Sequence, residues 1–189
     1  MKKIFLILTL FLNALALPLN EIATTMQTNI DKSLKLLQNN KEDKKQAADE
    51  IFKLFNNIID YKLMAQLSLS QNYSKLSPEE QEKFTLAFES SLKKSFTDKL
   101  NLYKDQILKV KNGELKNEKR YFLTTSMIVQ GEEKNIIFKF YNNNNNWLIY
   151  DVDVLGVSIV QTYRSQFGDI LANQGFDSLL EKLENIVIE

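Results

Sequence analysis

Asp151 and Asp153 are the residues of this 189-residue chain best placed to do chemistry. They lie two apart in Trp147-Leu148-Ile149-Tyr150-Asp151-Val152-Asp153-Val154, so an unbroken strand would point both carboxylates the same way. Such an acid inside a sheet cupped by helices can serve as the general base of a small isomerase or dehydratase. Leu148, Tyr150, Val152 and Val154 would form the opposite, apolar face, so the pair reads more simply as a solvated strand face. The rest of the catalytic repertoire is missing. The chain contains no cysteine and no histidine. That removes disulfides, thiolate nucleophiles, cysteine-ligated metals, the usual zinc ligand and every Ser-His-Asp triad. There is no glycine-rich phosphate loop, metal-ligand cluster or Gly-x-Ser-x-Gly elbow, so no cofactor is expected. The 24 basic side chains are balanced by 24 acidic ones, which argues against a nucleic-acid partner.

The elements that must position these residues follow from periodicity. Residues 21–38 and 43–57 read as amphipathic helices, with a third from about Asp60 to Gln71. Ser77-Pro78-Glu79-Glu80 is a capping box with proline at the first helical position. The helix it opens is expected to reach Tyr103 or beyond. Phe84, Phe88, Leu92, Phe96, Leu100, Tyr103 and Ile107 mark one apolar stripe along it, and Asn112-Gly113 ends the segment. Residues 119–130, 134–141 and 146–155 read as strands, turned at Gln130-Gly131-Glu132-Glu133 and at the asparagine run from Asn142 to Asn146. Ile136, Phe138 and Phe140 share a face, and Gly156 ends the third strand. A helix from Ser158 carries Val160, Tyr163, Phe167, Ile170 and Leu171. After Gly175 another carries Phe176, Leu179, Leu180, Leu183, Ile186 and Val187. The fold class is α+β: helices packed on a small antiparallel sheet.

Met1-Lys2-Lys3, the apolar run Ile4 to Leu12, and Asn13-Ala14-Leu15-Ala16 have the three parts of a secretory signal peptide. The expected organisation is a signal peptide at residues 1–16 and a single domain at 17–189. No cysteine follows the cleavage site to carry a lipid anchor. The exported domain is rich in aromatics, with 12 Phe, 7 Tyr and one Trp. These either fill a core or line a cavity for an apolar ligand.

The stretch from Trp147 to Ser158, followed by Tyr163-Arg164-Ser165-Gln166-Phe167 and Gly175-Phe176-Asp177-Ser178-Leu179, resembles the MlaC family of periplasmic phospholipid-binding proteins, also called toluene-tolerance proteins. The family's pattern there is W-x-x-Y-D-x-x-x-x-G-V-S, then Y-R-x-x-F, then G-[IF]-D-x-L. Leu69 to Tyr73, Ser77 to Gln81, Phe84, Phe88 and Tyr103 follow in the family's order, so the likeness runs from about Ala48 to Ile186. The chain departs from the pattern at Ser70, where the family often has glycine, and at Leu155, where it often has an acid. The resemblance implies a deep apolar pocket between sheet and helices that takes phospholipid acyl chains. The residues expected to line it are Phe88, Leu92, Phe96, Phe122, Phe138, Phe140, Tyr150, Val154, Val157, Val160, Tyr163 and Phe167. It also implies a monomer in the periplasm, not an enzyme, that shuttles phospholipid between two partners. These are an inner-membrane ABC transporter complex with a lipid-binding domain and an outer-membrane lipoprotein–porin complex. The residues by themselves leave two other readings open: a cupped-sheet enzyme using Asp151 or Asp153, and a periplasmic chaperone or lipoprotein carrier.

Overall fold

The computed structural model describes residues 16–100 and 106–183. Helix α1 spans Ile22–Asn39, α2 Lys44–Phe55, α3 Tyr61–Leu69, α4 Pro78–Leu100 and α5 Ile159–Leu183. Helices α2 to α5 each begin where a side chain satisfies one of the first free N–H groups, whereas α1 has no side-chain cap. Asp43 caps α2 by accepting from the Gln46 N–H, and Asp60 caps α3 by accepting from the Leu63 N–H. The capping box of α4 is reciprocal. Ser77 N–H donates to Glu80 Oε2 at 2.7 Å, and Glu80 N–H donates to Ser77 Oγ at 3.3 Å. Helix α5 is broken at Gly175, whose φ of 81° and ψ of −177° suit a residue without a Cβ. The expected division into two helices there is borne out. None of the described helices is long and apolar enough to cross a membrane.

The sheet is an antiparallel meander in the order β1-β2-β3-β4-β5: Lys109–Asn117, Arg120–Val129, Glu132–Asn143, Asn146–Val154 and Val157–Ser158. Three of its turns place two consecutive residues at positive φ: Gln130-Gly131, Asn144-Asn145 and Leu155-Gly156. This twist suits tight hairpins, and asparagine and glycine adopt it readily. Leucine does not, so Leu155 at φ 55° is a strained position.

Strand β1 was not expected, and Gly113 lies within it rather than ending a helix. Its residues show little apolar alternation because it is an exposed edge held by pairing to β2. Gly113 has a steric role: a Cβ there would sit 1.6 Å from the Tyr121 hydroxyl, which lies across the strand. Ile107 lies in the segment before β1, not on α4. Residues 1–15, Tyr103, Ile186 and Val187, which carry other expectations, lie outside the described residues.

Three apolar clusters hold these elements together. The first joins α3, α4 and α5 through Met64, Leu69, Phe84, Phe88, Tyr163, Phe167 and Leu179. The second lies between α1 and the sheet, with Ile22, Met26, Leu123, Phe140, Trp147 and Ile149. Leu17 belongs to it: its N–H donates to Asn146 Oδ1, and its carbonyl accepts from the Trp147 N–H, each at 2.9 Å. The third is smaller, with Leu37, Ala47, Ala48, Ile51 and Leu100 between α1, α2 and α4.

Candidate functional site

Pairing register sorts the sheet into two faces, and a bulge in β4 decides which residues lie on each. Phe140 pairs with Ile149 but Lys139 pairs with Asp151, so Tyr150 is an extra residue on β4. The bulge puts Val152 and Val154 on the same face as Trp147 and Ile149, and Asp151 and Asp153 on the other. Simple alternation groups Trp147, Ile149, Asp151 and Asp153 together; the bulge separates the two aspartates from Trp147 and Ile149.

The inner face is built from cross-strand rows. Leu115, Tyr121, Phe140 and Ile149 form one, and Gly113, Leu123, Phe138 and Val152 the next. Val110, Thr125, Ile136, Val154 and Val157 form the third. Cover falls off toward the β4–β5 corner, while Thr125 in the third row is fully buried and Leu115 in the first, on the β1 edge, is exposed. Leu123, Phe140 and Ile149 are fully buried, Phe138 and Val152 are half-buried, and Val154 and Val157 are 37% and 59% exposed. The apolar face therefore continues beyond the core that covers its other end.

Helix α4 shows a similar drift. A spacing of four residues overshoots a full helical turn by about 40°, so Phe96 is turned about 120° from Phe84. The buried line follows the true helical period instead, through Phe84, Phe88, Ser91 and Ser95. Leu92 is half-buried, and Phe96 is 37% exposed with its ring edge-on to Phe52 at 5.2 Å. The expected stripe is thus a ribbon that winds out of the helical cluster at Phe84 and Phe88, past exposed Phe96, to Leu100 in the third cluster.

The twelve residues expected to line a pocket do not converge on one cavity. Phe88, Val160, Tyr163 and Phe167 are buried in the helical cluster, where Phe88 meets Tyr163 at 5.0 Å and Tyr163 meets Phe167 at 5.2 Å. Phe140 is fully buried in the sheet cluster, with Phe138 beside it. Phe122 lies on the outer face, paired to Lys139, and Tyr150 stacks there under Arg120. Leu92, Phe96, Val154 and Val157 make up the accessible apolar set. Two open surface clefts lie among the described residues at the turn end of the sheet. One of about 530 Å³ is lined by Leu63, Asn117, Lys119, Arg120, Tyr141 and Asn142.

Asp151 is not a solvated carboxylate. It is 5% exposed, and its Oδ1 accepts from the N–H groups of Val152 and Val160. Its Oδ2 accepts from Ser158 Oγ at 2.7 Å and Lys139 Nζ at 3.0 Å. Lys139 also ion-pairs with Asp153 Oδ1 at 2.7 Å. Burial works against the Lys139 ammonium, but the two carboxylates outweigh it and raise its pKa above the lysine norm. The cluster fastens the start of α5 to β4, at the turn that carries Val157. Sequence reasoning missed this because the β4 bulge, visible only against β3, turns Asp151 to the face that the start of α5 covers. The one local signal was the Gly-Val-Ser step, whose Ser158 caps α5 by accepting from the Gln161 N–H. Among the described residues no group of His, Cys, Asp or Glu could hold a metal ion.

With this geometry in view, residues 27–185 match the family model described as MlaC protein. The match begins about twenty residues before the motif likeness read from the sequence. The chain is 24% identical over 198 residues to the intermembrane phospholipid transport system binding protein MlaC of Haemophilus influenzae, covering 97% of this chain and 92% of that one. Its fold is similar to that of a phospholipid-binding protein from Ralstonia solanacearum solved in complex with a phospholipid. The TM-score is 0.75 at 20% identity, covering 86% of this chain and 94% of that one.

Proposed function

The chain belongs to the MlaC family, and from that premise we propose that it is a periplasmic phospholipid carrier operating between the inner and outer membranes. The observation that carries this reading is the apolar sheet face that outruns its own core, where Val154 and Val157 stand exposed beyond half-buried Phe138 and Val152. Leu92 and Phe96 of α4 are accessible apolar side chains on the helices and are assigned to the same ligand. The acyl chains are assigned to this open end. The rings of Phe84, Phe88, Tyr163 and Phe167 already fill the helical core and would have to part to admit them.

The energetics favour such a design. Two acyl chains carry about 30 methylenes at about 0.8 kcal/mol each, so a bare aqueous crossing costs roughly 24 kcal/mol. Against a bilayer the difference is near zero, so a lining of apolar side chains can load and unload by partner contact alone. The partners assigned are an inner-membrane ABC transporter complex with a lipid-binding domain and an outer-membrane lipoprotein–porin complex. The domain, residues 17–189 after loss of a signal peptide at 1–16, works as a monomer. Asp151 and Asp153 take no catalytic part, since both are spent on Lys139 and the start of α5.

Solvent extraction and mass analysis of the exported protein test the reading. Near-stoichiometric phospholipid is expected; an empty protein, or one holding peptide, overturns it. Val157→Asp and Phe96→Asp should each release lipid with little change in melting, because both sites reach solvent. Phospholipid retained at the wild-type level in either folded variant removes that residue from the site.

A further inference from the structure

The open cleft at the opposite end of the sheet, where polar and charged groups join Leu63 and Tyr141, has the makings of a second site. It lies where the β1–β2 and β3–β4 turns meet the first turn of α3, and its polar lining offers donors almost exclusively. Asn117 Oδ1 accepts from the Lys119 N–H at 2.9 Å, and Asn142 Oδ1 accepts from the Asn145 N–H at 2.7 Å. Both amide oxygens are therefore engaged by their own turns, which leaves the NH₂ groups as the unused donors. The Tyr141 hydroxyl donates to Asp60 Oδ2, and the other oxygen of Asp60 is held by the Leu63 N–H. Lys119 and Arg120 supply the charge, and no acidic side chain lines the cleft. Glu118 lines the adjoining, shallower concavity instead.

Arg120 is held in place without being neutralised. Its guanidinium carbon lies 4.5 Å from the centre of the Tyr150 ring and 5.9 Å from that of Tyr141, and those two rings meet edge-on. Among the described residues, no acceptor engages the Arg120 guanidinium, the Lys119 ammonium or the two amide nitrogens. A planar fork of donors fixed by stacking, beside an ammonium and two oriented amides, matches the geometry of an oxyanion. Fixing the guanidinium in advance also removes much of the ordering cost of binding.

We propose that this cleft binds a phosphate-class oxyanion, either free phosphate or the phosphate of an anionic lipid headgroup. The site stands apart from Val154 and Val157, so its test does not depend on lipid transport. The ¹⁵N-labelled protein is titrated with sodium phosphate, and with sodium chloride at matched ionic strength. The Arg120 Nε–H and the Asn117 and Asn142 side-chain signals should shift saturably with phosphate, at millimolar or tighter affinity. Arg120→Gln should abolish the response. Asn117→Asp should do the same while keeping the turn's acceptor, since it places a carboxylate among the donors. Sedimentation with phosphatidylglycerol and phosphatidylcholine vesicles separates the sources. Arg120-dependent binding to the anionic vesicles alone identifies a headgroup, and a phosphate response without vesicle binding identifies the free ion. An equal response to chloride, a response that survives both substitutions, or none at all overturns the proposal.

Discussion

Replacing Asp151 with Asn should cost about 2 kcal/mol, because it strips a buried acceptor of the charge that Lys139 and the α5 backbone lean on. Asp153→Asn should cost under about 1 kcal/mol, since Asp153 meets only Lys139 and is more open to solvent. Urea melts of the two variants check this order; equal costs would mean that Asp151 is no anchor. The same cluster contributes to the loss of stability at alkaline pH. The folded pKa of Lys139 is raised, so its contribution is complete below the ordinary lysine value of 10.5 and fades as pH climbs past it. Burial, and then the hydrogen bond to Asp60, push the Tyr141 phenol from 10.0 up to about 12. The unfolded chain therefore ionises this tyrosine first, and stability falls as pH rises from 10 toward 12. Melting should be flat across neutral pH and drop in that window, with a smaller drop in Tyr141→Phe. A constant melting temperature up to pH 12 contradicts both assignments.

Among the elements, those with local causes were legible. The capping box of α4, the glycine break in α5 and the two polar hairpins each follow from a few neighbouring residues, and each stands where expected. Two features were hidden because their causes are distant. Strand β1 exists by pairing to β2, and the β4 bulge appears only against β3; that bulge is what moved Asp151 from an assumed wet face to a buried one. The candidate site suffered from the same gap. Residue type picked out apolar side chains correctly, but parity could not assign Phe122 and Tyr150 to the outer face. The strained Leu155 gives an element-level prediction. Leu155→Asn should raise stability by about 1 kcal/mol by relieving a left-handed leucine, and Leu155→Val should lower it. Gly113→Ala should destabilise by forcing Tyr121 off its strand. Thermal melts of the three variants test both turn and strand.

At the scale of the whole molecule, one feature bears on when the protein folds. Leu17 is seated against Trp147, and its nitrogen donates to Asn146 Oδ1. While a peptide precedes Leu17 that donor is a neutral amide. Cleavage after Ala16 would turn it into an ammonium, whose hydrogen bond to the same oxygen is stronger by about 1 kcal/mol. An exported chain has to stay unfolded until it has crossed the membrane, and here the cut itself would tighten the native state. The precursor would then be the slacker form and the mature chain the firmer one, so processing would act as a clock. The clock can be read by comparing melts of a chain that begins at Leu17 with one that keeps a few preceding residues. The gap between them should close in Asn146→Leu, and a gap that persists there would assign it to some other contact.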